Sequence, residues 1–158
     1  MKGMAHYLLL VKDHRDQEGR LIKAREVFEN RVQYRFWSFN KRAGNLKKLK
    51  CDDLVLFYVA EKGGLIVGKG ALASDPYPIS NIEYKLALGL PSKNFDYIVD
   101  LKNIEVWPVP VEFKRVYEKL SFIKDKSKPY VYLQGSIKRL SEEDYNFICN
   151  LAKETSLG

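Results

Sequence analysis

The sequence contains few of the residues that metal sites, disulfides and acid–base catalysis need. Of its 158 residues, two are cysteine and two are histidine. Cys51 and Cys149 lie far apart, without a CxxC pair or a neighbouring histidine, so zinc and redox motifs are absent. Isolated cysteines are typical of a reducing cytoplasm, where disulfides are rare. The sequence therefore predicts no metal, no cofactor and a cytoplasmic location.

Long hydrophobic runs are also missing. No apolar segment approaches the roughly 18 residues that indicate a membrane-spanning helix. The run Leu8–Val11 indicates a short buried strand rather than a signal peptide, because polar residues flank it on both sides. With 46% hydrophobic and 30% charged residues, the chain has the composition of a globular protein. At this length we expect one domain over residues 1–158.

The motifs of common catalytic sites do not occur. There is no HExxH motif, no G-x-S-x-G nucleophile, no Walker lysine and no zinc-deaminase pattern. The acidic pairs Asp52-Asp53 and Glu142-Glu143 are sequence neighbours that indicate a turn and a helix start rather than an acid–base dyad. The sequence predicts a protein that is not an enzyme. Hydrolysis of a nucleotide is a disfavoured alternative, because the acid–base and metal sets are missing.

Positive charge and aromatic side chains, in contrast, are abundant. The formal net charge is +7 and the isoelectric point is near 9.3, which points to a polyanionic partner. Both features meet between Tyr34 and Arg42, where four aromatic residues, Trp37 among them, alternate with basic or amide side chains. This segment is either a core strand with basic edges or a platform on which a base stacks while cations neutralise phosphates. Replacing Trp37 with alanine would unfold the protein in the first case and leave the fold intact in the second.

The positive charge is concentrated in two regions. One follows the Trp37 segment directly, and the other lies between residues 114 and 128, where acidic residues dilute it. A run of charge is usually a solvated face. The first region adjoins a tryptophan, however, which favours a phosphate-binding role for its members. These are Lys41, Arg42, Lys47, Lys48 and Lys50.

Hydrophobic patterning predicts an α+β protein built on a small mixed β-barrel of five to six strands, with inserted and flanking helices. Strands are expected over 7–11, 32–39, 54–59, 65–74, 95–107 and 130–133, and helices over 21–30, 46–50 and after 141. Residues 113–120 are amphipathic. Asn45 is a candidate cap for the second helix, and Ser141 with the acidic residues after it for the last. Gly68 permits a bulge or a close backbone approach. Pro108 is expected to end the fifth strand.

Several of these segments follow one another in an order that resembles the EVE domain, a member of the PUA-like superfamily related to YTH domains. The resemblance extends over about residues 5–151 and implies a PUA-like barrel. Asp52 replaces a glycine that is usual before the third strand, and aspartate adopts the left-handed conformation better than most residues. The segments are Tyr7-Leu-Leu-Leu-Val, Phe36-Trp37, Asp53-Leu-Val-Leu-Phe-Tyr58, Ile66-Val-Gly68, Ser74-Asp-Pro-Tyr77, Lys119-Leu-Ser-Phe-Ile-Lys and Gly135-Ser-Ile-Lys-Arg-Leu-Ser-Glu-Glu-Asp-Tyr.

The resemblance also implies roles for individual residues. Trp37 corresponds to the first aromatic of a cage around a modified or flipped base, and Tyr84 to the second. Ser38 follows the tryptophan, where its backbone carbonyl would receive the exocyclic amine of the base. Asp13 and His14 close the first strand, where the family presents groups to the base edge. The predicted phosphate contacts are Lys12, Lys41, Arg42, Lys47 and Lys48.

The partner implied by the resemblance is DNA or RNA that carries a modified or flipped base. The chain would act alone or as the N-terminal specificity domain of a McrB-like restriction machine, with an AAA+ motor or nuclease fused or associated. A base made cationic by methylation would gain cation–π energy in an aromatic cage. A protein-interaction adaptor with a tyrosine-rich docking face is the alternative. The residues do not choose between RNA and DNA, which differ at the 2′-OH.

Overall fold

A computed structural model describes residues 4–16, 18–90 and 95–157. The strands in these ranges are β1 (His6–Val11), β2 (His14–Arg15), β3 (Leu21–Ile22), β4 (Phe36–Phe39), β5 (Leu54–Val59), β6 (Leu65–Leu72), β7 (Tyr77–Pro78), β8 (Tyr97–Glu112) and β9 (Ile137–Leu140). The helices are α1 (Ala24–Tyr34), α2 (Ile82–Ala87), α3 (Phe113–Val116) and α4 (Glu142–Leu157), with short 3-10 helices at Leu46–Lys48, Tyr117–Lys119 and Pro129–Leu133. None of the helices described is both long enough and apolar enough to cross a membrane.

One mixed sheet organises the molecule. Six strands follow the order β4-β8-β6-β5-β1-β9, and β7 pairs with β8. β1 and β5 run parallel, whereas the other pairs are antiparallel. The sheet curls strongly, because Trp37 of β4 stacks on Phe57 of β5 at a centroid distance of 5.1 Å although β8 and β6 separate these strands. The predicted small mixed barrel with flanking helices is confirmed.

Both faces of the sheet carry an apolar core. Residues of β1 alternate between the faces: Leu9 lies in the interior core with α1, and Leu8 lies in a second core with α3 and α4. A strand that is buried on both faces reads as a continuous apolar run. This explains why the run Leu8–Val11 signals a strand without any polar alternation.

Helix α1 lies later in the chain than the sequence predicts. It begins at Ala24 rather than at residue 21, and it continues to Tyr34, so it includes the first part of the predicted second strand. The carboxylate of Asp13 accepts a hydrogen bond from Ala24 N at 2.7 Å. The helix start is therefore satisfied by a residue from the β1 end, which local sequence signals do not reveal. The helix ends where Arg35 turns into the left-handed region at φ 56°.

Strand β8 passes through the prolines that were expected to end it. Ile66 and Gly68 of β6 pair with Val111 and Val106 of β8, so residues 107–110 bulge out of the ladder between these pairs. A bulge does not need the N–H groups that proline lacks. The expectation for Gly68 is confirmed, since a Cβ there would lie 2.3 Å from a backbone oxygen of β8.

The last strand is also displaced from its predicted position. Residues 130–133 belong to the 3-10 helix Pro129–Leu133, and β9 follows at Ile137–Leu140. The side chain of Asn45 does not cap the turn after it but donates to the Ile137 carbonyl at 3.2 Å. The cap at Ser141 is confirmed, because its hydroxyl accepts a hydrogen bond from Asp144 N at 3.0 Å.

Candidate functional site

A small cavity lies at the carboxyl end of β1, between the residues that follow this strand, one side of α1, β4 and the turn before β9. Its volume is about 160 Å³. This is well below the roughly 300–1,000 Å³ of pockets for drug-sized ligands, so the cavity fits one small group. The structure brings five of the predicted site residues to its wall: Lys12, Asp13, His14, Trp37 and Ser38.

Trp37 belongs to the interior core as well as to the cavity wall. Its side chain is 1% exposed. The indole stacks on Phe57 with an interplanar angle of 15° and meets Phe28 edge-on at a centroid distance of 6.4 Å. One face of the ring is therefore occupied by the core, and only the remaining surface can meet a ligand.

The second aromatic ring at the cavity is Phe95, which the sequence analysis did not select. Phe95 is partly exposed, precedes β8 and lies 5.7 Å from the ring of His14. Tyr84, the predicted second aromatic, lies on α2 with 47% of its surface exposed and is not among the described residues that line this cavity. The one signal for Phe95 was an aromatic residue at the start of a predicted strand, and such residues are usually packed in a core.

Ser38 contributes a buried polar group to the cavity wall. Its residue is 5% exposed, and its hydroxyl makes no hydrogen bond to any part of the chain that the structure describes. A buried hydroxyl without a partner costs about 1–3 kcal/mol. A ligand that hydrogen-bonds to Ser38 would recover part of that free energy.

Asp13 and Lys12 have different roles at the cavity. One carboxylate oxygen of Asp13 accepts from Ala24 N, and the other lies 3.7 Å from Lys23 Nζ. Asp13 thereby ties the amino end of α1 to the cavity wall. Lys12 is exposed, so its ammonium group is available to an anion at the rim.

Arg31, which the sequence analysis also missed, lines the cavity from α1. It is 2% exposed, and burial lowers the pKa of Arg31 from 12.5 to about 10, so the side chain remains a cation at neutral pH. Its Nη1 donates to Asn30 Oδ1 at 2.6 Å, and its guanidinium lies 5.0 Å from the ring centroid of Phe36 and 5.7 Å from that of Phe95. An arginine on a helix is normally exposed, and no local pattern indicates this burial.

His14 lies between these charged groups. Burial, and then the positive charge of Arg31, lower the pKa of the His14 imidazole from its ordinary value. Asp13 and Asp16 oppose this shift. The neutral imidazole is therefore the form that the folded protein favours near neutral pH.

The depressed pKa of His14 predicts a pH-dependent stability. The unfolded chain binds a proton at this site more readily than the folded protein, so this contribution to stability is present above the ordinary pKa of about 6.5 and is lost as the pH falls through the folded value. We expect urea unfolding to show a smaller loss of stability between about pH 7.5 and pH 5 in His14→Gln than in wild type. Equal losses in the two proteins would contradict this assignment.

The other predicted phosphate contacts do not lie at the cavity. Lys41, Arg42 and Lys47 are exposed and are not among its described lining residues. Lys48 lines a larger concavity of about 990 Å³ at the amino end of β1, together with Lys50, Lys102 and Arg139.

The larger concavity is a weaker candidate for a base site because Tyr7 is the one aromatic side chain in its described lining, and its acidic groups already have protein partners. Asp52, which adopts φ 76° as its left-handed position requires, forms an ion pair with Lys102. Asp53 accepts hydrogen bonds from the backbone N–H groups of Ala5 and Lys50. In neither concavity, nor elsewhere in the described ranges, do three His, Cys, Asp or Glu side chains cluster as a metal site requires.

Comparison with known proteins places this architecture in a family. The family model described as the EVE domain matches residues 23–151. A UPF0310 protein from Pyrococcus abyssi is 32% identical over 124 residues, which cover 73% of this chain and 84% of that protein.

Solved structures share the fold over nearly the whole chain. Human THYN1 in complex with 5-methylcytosine-containing DNA superposes with a TM-score of 0.63 at 17% identity, covering 94% of this chain and 98% of that one. A hypothetical protein from Leishmania major gives a TM-score of 0.63 at 15% identity and 97% coverage of both chains. The N-terminal domain of Staphylothermus marinus McrB gives 0.58 at 12% identity, with 94% and 95% covered. The chain therefore belongs to the EVE domain family and has the PUA-like α+β fold that its sequence predicted.

Proposed function

We propose that this protein is a non-catalytic nucleic-acid-binding module that holds one modified or flipped base in the cavity at the carboxyl end of β1. The observation that carries the proposal is the composition of this cavity wall. Two aromatic rings, Trp37 and Phe95, line the same small space as the unpaired hydroxyl of Ser38 and the buried guanidinium of Arg31. Aromatic rings stack on a base, while polar groups read its edge.

Relatives of the same fold support a modified base as the ligand. The human THYN1 structure contains DNA with 5-methylcytosine. The likeness to the McrB N-terminal domain supports the further proposal that the domain acts beside an AAA+ motor or nuclease in a restriction system. Neither relative decides whether this chain binds DNA or RNA, so the binding screen below includes both nucleic acids.

The energetics of the cavity agree with this role. Taking a base out of its stack costs a few kcal/mol. Stacking on an aromatic side chain returns about 1–3 kcal/mol per base. Hydrogen bonds to groups that are already buried add to this, because the protein loses no further hydration when they form. Exposed cations at the rim would hold the flanking phosphates without reading sequence.

A binding screen tests the proposal. Oligonucleotides that differ in one base modification are compared as single-stranded DNA, double-stranded DNA and RNA, each over a series of salt concentrations. We expect affinity to fall linearly with log salt and to depend on the modification. Flat, negligible binding of every oligonucleotide at low salt would contradict the proposal and favour a protein-interaction adaptor.

Lys12 offers a sharper test of the phosphate contact at the rim. We expect Lys12→Gln to weaken binding of all oligonucleotides alike and to reduce the salt slope by about one, because one phosphate contact is lost. Lys48→Gln removes the same charge at the opposite end of β1, so the two salt slopes together show which end of the strand meets phosphates. Loss of affinity for only one sequence would show that Lys12 reads a base instead.

The remaining basic residues keep a proposed phosphate role. Lys41, Arg42 and Lys47 are exposed and free to follow a backbone that leaves the cavity. Each phosphate contact steepens the fall of log affinity with log salt concentration. The slope measured for wild type therefore gives the number of such contacts.

A further inference from the structure

We infer that Arg31 determines which charge state of base the cavity accepts. Its buried guanidinium selects a base that presents an anionic or carbonyl oxygen to it, and excludes a base that carries a positive charge. This inference rests on the proposed function and names the class of base that the cavity binds.

Arg31 is a buried cation that has no anionic partner among the described residues. The residue is 2% exposed, and no carboxylate of the described residues lies within 4.0 Å of its guanidinium. The nearby carboxylate of Asp13 is already bound to Ala24 N and Lys23. Burial of an unpaired charge is strongly unfavourable, and proteins normally pair such charges with an anion.

The protein compensates this charge only in part. The guanidinium lies over the rings of Phe36 and Phe95, and Arg31 stands in the last turn of α1, where helix carbonyls favour a cation. Of the five N–H donors that a guanidinium has, the described residues receive one hydrogen bond, from Nη1 to Asn30 Oδ1. A ligand in the cavity can accept from the others.

A second buried polar group lines the same space. The hydroxyl of Ser38 has no hydrogen-bond partner among the described residues, although the residue is 5% exposed. An arginine with unused donors and a serine hydroxyl without a partner among the described residues, in one cavity wall, indicate a space suited to a polar ligand. Since the guanidinium can only donate, the ligand must offer an acceptor on that side.

The sign of the charge then decides between ligands. A carbonyl oxygen accepts a hydrogen bond from Arg31, and a carboxylate on the base adds Coulomb attraction to a guanidinium that is itself buried. A base made cationic by ring methylation meets like charge in the same place. The sequence-based expectation that a cationic base gains cation–π energy in this cavity therefore reverses once the position of Arg31 is known.

Base and backbone phosphate are two sources of an anionic oxygen, and the structure favours the base. Arg31 lies inside the cavity wall with almost no exposed surface, whereas Lys12 is exposed at the rim. A phosphate, which remains in the hydrated backbone, meets Lys12 before it can approach Arg31.

The test uses the whole chain and three single-stranded oligonucleotides that differ only in one central residue. These are cytosine, 5-carboxylcytosine, whose substituent is anionic, and 3-methylcytosine, whose ring is cationic near neutral pH. We expect the acidic base to bind best and the cationic base worst, with about 10- to 100-fold between them, as for one hydrogen bond to a charged group. The ratio should persist at raised salt, because salt screens exposed charges far more than buried ones.

Variants separate Arg31 from the general positive charge of the protein. Arg31→Met should remove the discrimination, and its thermal stability should equal or exceed that of wild type because an uncompensated buried charge is gone. Arg31→Lys should keep the order of the three bases. Arg35→Gln is the matched control, since it removes an exposed charge at the same helix end and should leave the ratio unchanged.

Free nucleosides distinguish base from phosphate. We expect 5-carboxyl-2′-deoxycytidine to shift the Nε–H NMR signal that is present in wild type and missing in Arg31→Met. A shift caused only by deoxycytidine 5′-monophosphate would place the phosphate at Arg31 and overturn the inference.

The two hypotheses fail differently. If no oligonucleotide binds at low salt, both the proposed function and this inference are overturned. If oligonucleotides bind but the cationic base is preferred, or Arg31→Met leaves the ratio unchanged, the base-binding function stands and the role of Arg31 is overturned. The relative affinities of the wild-type protein for the three oligonucleotides test the role of Arg31 even if a variant fails to fold.

Discussion

Replacing Trp37 with alanine is expected to lower the free energy of unfolding by about 3–5 kcal/mol, the usual cost of removing a large aromatic from a core. The ring is 1% exposed, stacks on Phe57 and meets Phe28 edge-on, so the substitution leaves a cavity between β4, β5 and α1. For a chain of this size, each kcal/mol lowers the melting temperature by roughly 2–4 °C. Urea unfolding followed by circular dichroism measures the change.

Tyr84→Ala is the control for this result. Tyr84 is 47% exposed on α2, and an exposed substitution of this kind changes stability by about 0.5 kcal/mol or less. If Trp37→Ala were no more destabilising than Tyr84→Ala, the ring would not belong to the core. Of the two outcomes that the sequence left open for Trp37→Ala, the structure thus predicts the loss of stability. For this reason the substitution is a poor test of ligand binding.

Phe95 is the better position at which to test the aromatic wall. It lines the cavity, is partly exposed and contacts His14, and it packs at the edge of a small apolar cluster, whereas Trp37 lies inside the main core. We expect Phe95→Ala to weaken binding of the modified oligonucleotide by about 1–3 kcal/mol, the value of one aromatic stack on a base. Its preference over the unmodified oligonucleotide should fall by the smaller part of this energy that the added group contributes. Competition binding between two otherwise identical oligonucleotides measures this preference directly.

Two controls make the Phe95 result interpretable. The salt slope should stay unchanged, because the phosphate contacts are not touched. Tyr84→Ala should retain the full preference for the modified base. If Tyr84→Ala lost it instead and Phe95→Ala did not, the cage predicted from the family resemblance would be right and the cavity at β1 would not be the base site.

The difference between Phe95 and Tyr84 shows which part of the site could not be predicted from the sequence. Lys12, Asp13 and His14 directly follow a strand that is easily recognised, and Trp37 and Ser38 lie in another, so their approach to one barrel opening could be anticipated. Tyr84 and Phe95 both lie in the long connection between β7 and β8, Tyr84 on α2 and Phe95 just before β8. Which aromatic side chain lines the cavity depends on the course of the backbone through that connection. Hydrophobic periodicity predicts helices and strands, but it does not predict the course of a loop.

The positions of the charged side chains in the structure could not be predicted from the sequence either. The basic residues after Trp37 form one cluster in the sequence, yet Lys48 lines a concavity at the opposite end of β1 from Lys12. Arg31, which belongs to no cluster, is the buried cation of the cavity. The net charge of the sequence predicts that the partner is negatively charged, but it does not predict which side chain contacts that partner.

By itself the sequence determined the features that depend on neighbouring residues. The apolar runs of β1 and β5, the left-handed turn at Asp52 and the cap at Ser141 follow from local sterics and hydrogen bonding. The order of these segments was enough to indicate the family. Only the tertiary structure decided that Trp37 is mainly core, that α1 starts at a carboxylate supplied by the residue after β1, and that Arg31 is buried with no carboxylate of the described residues beside it. Those properties arise from contacts between residues far apart in the chain. The free energy of such contacts cannot be predicted from any single segment of the sequence.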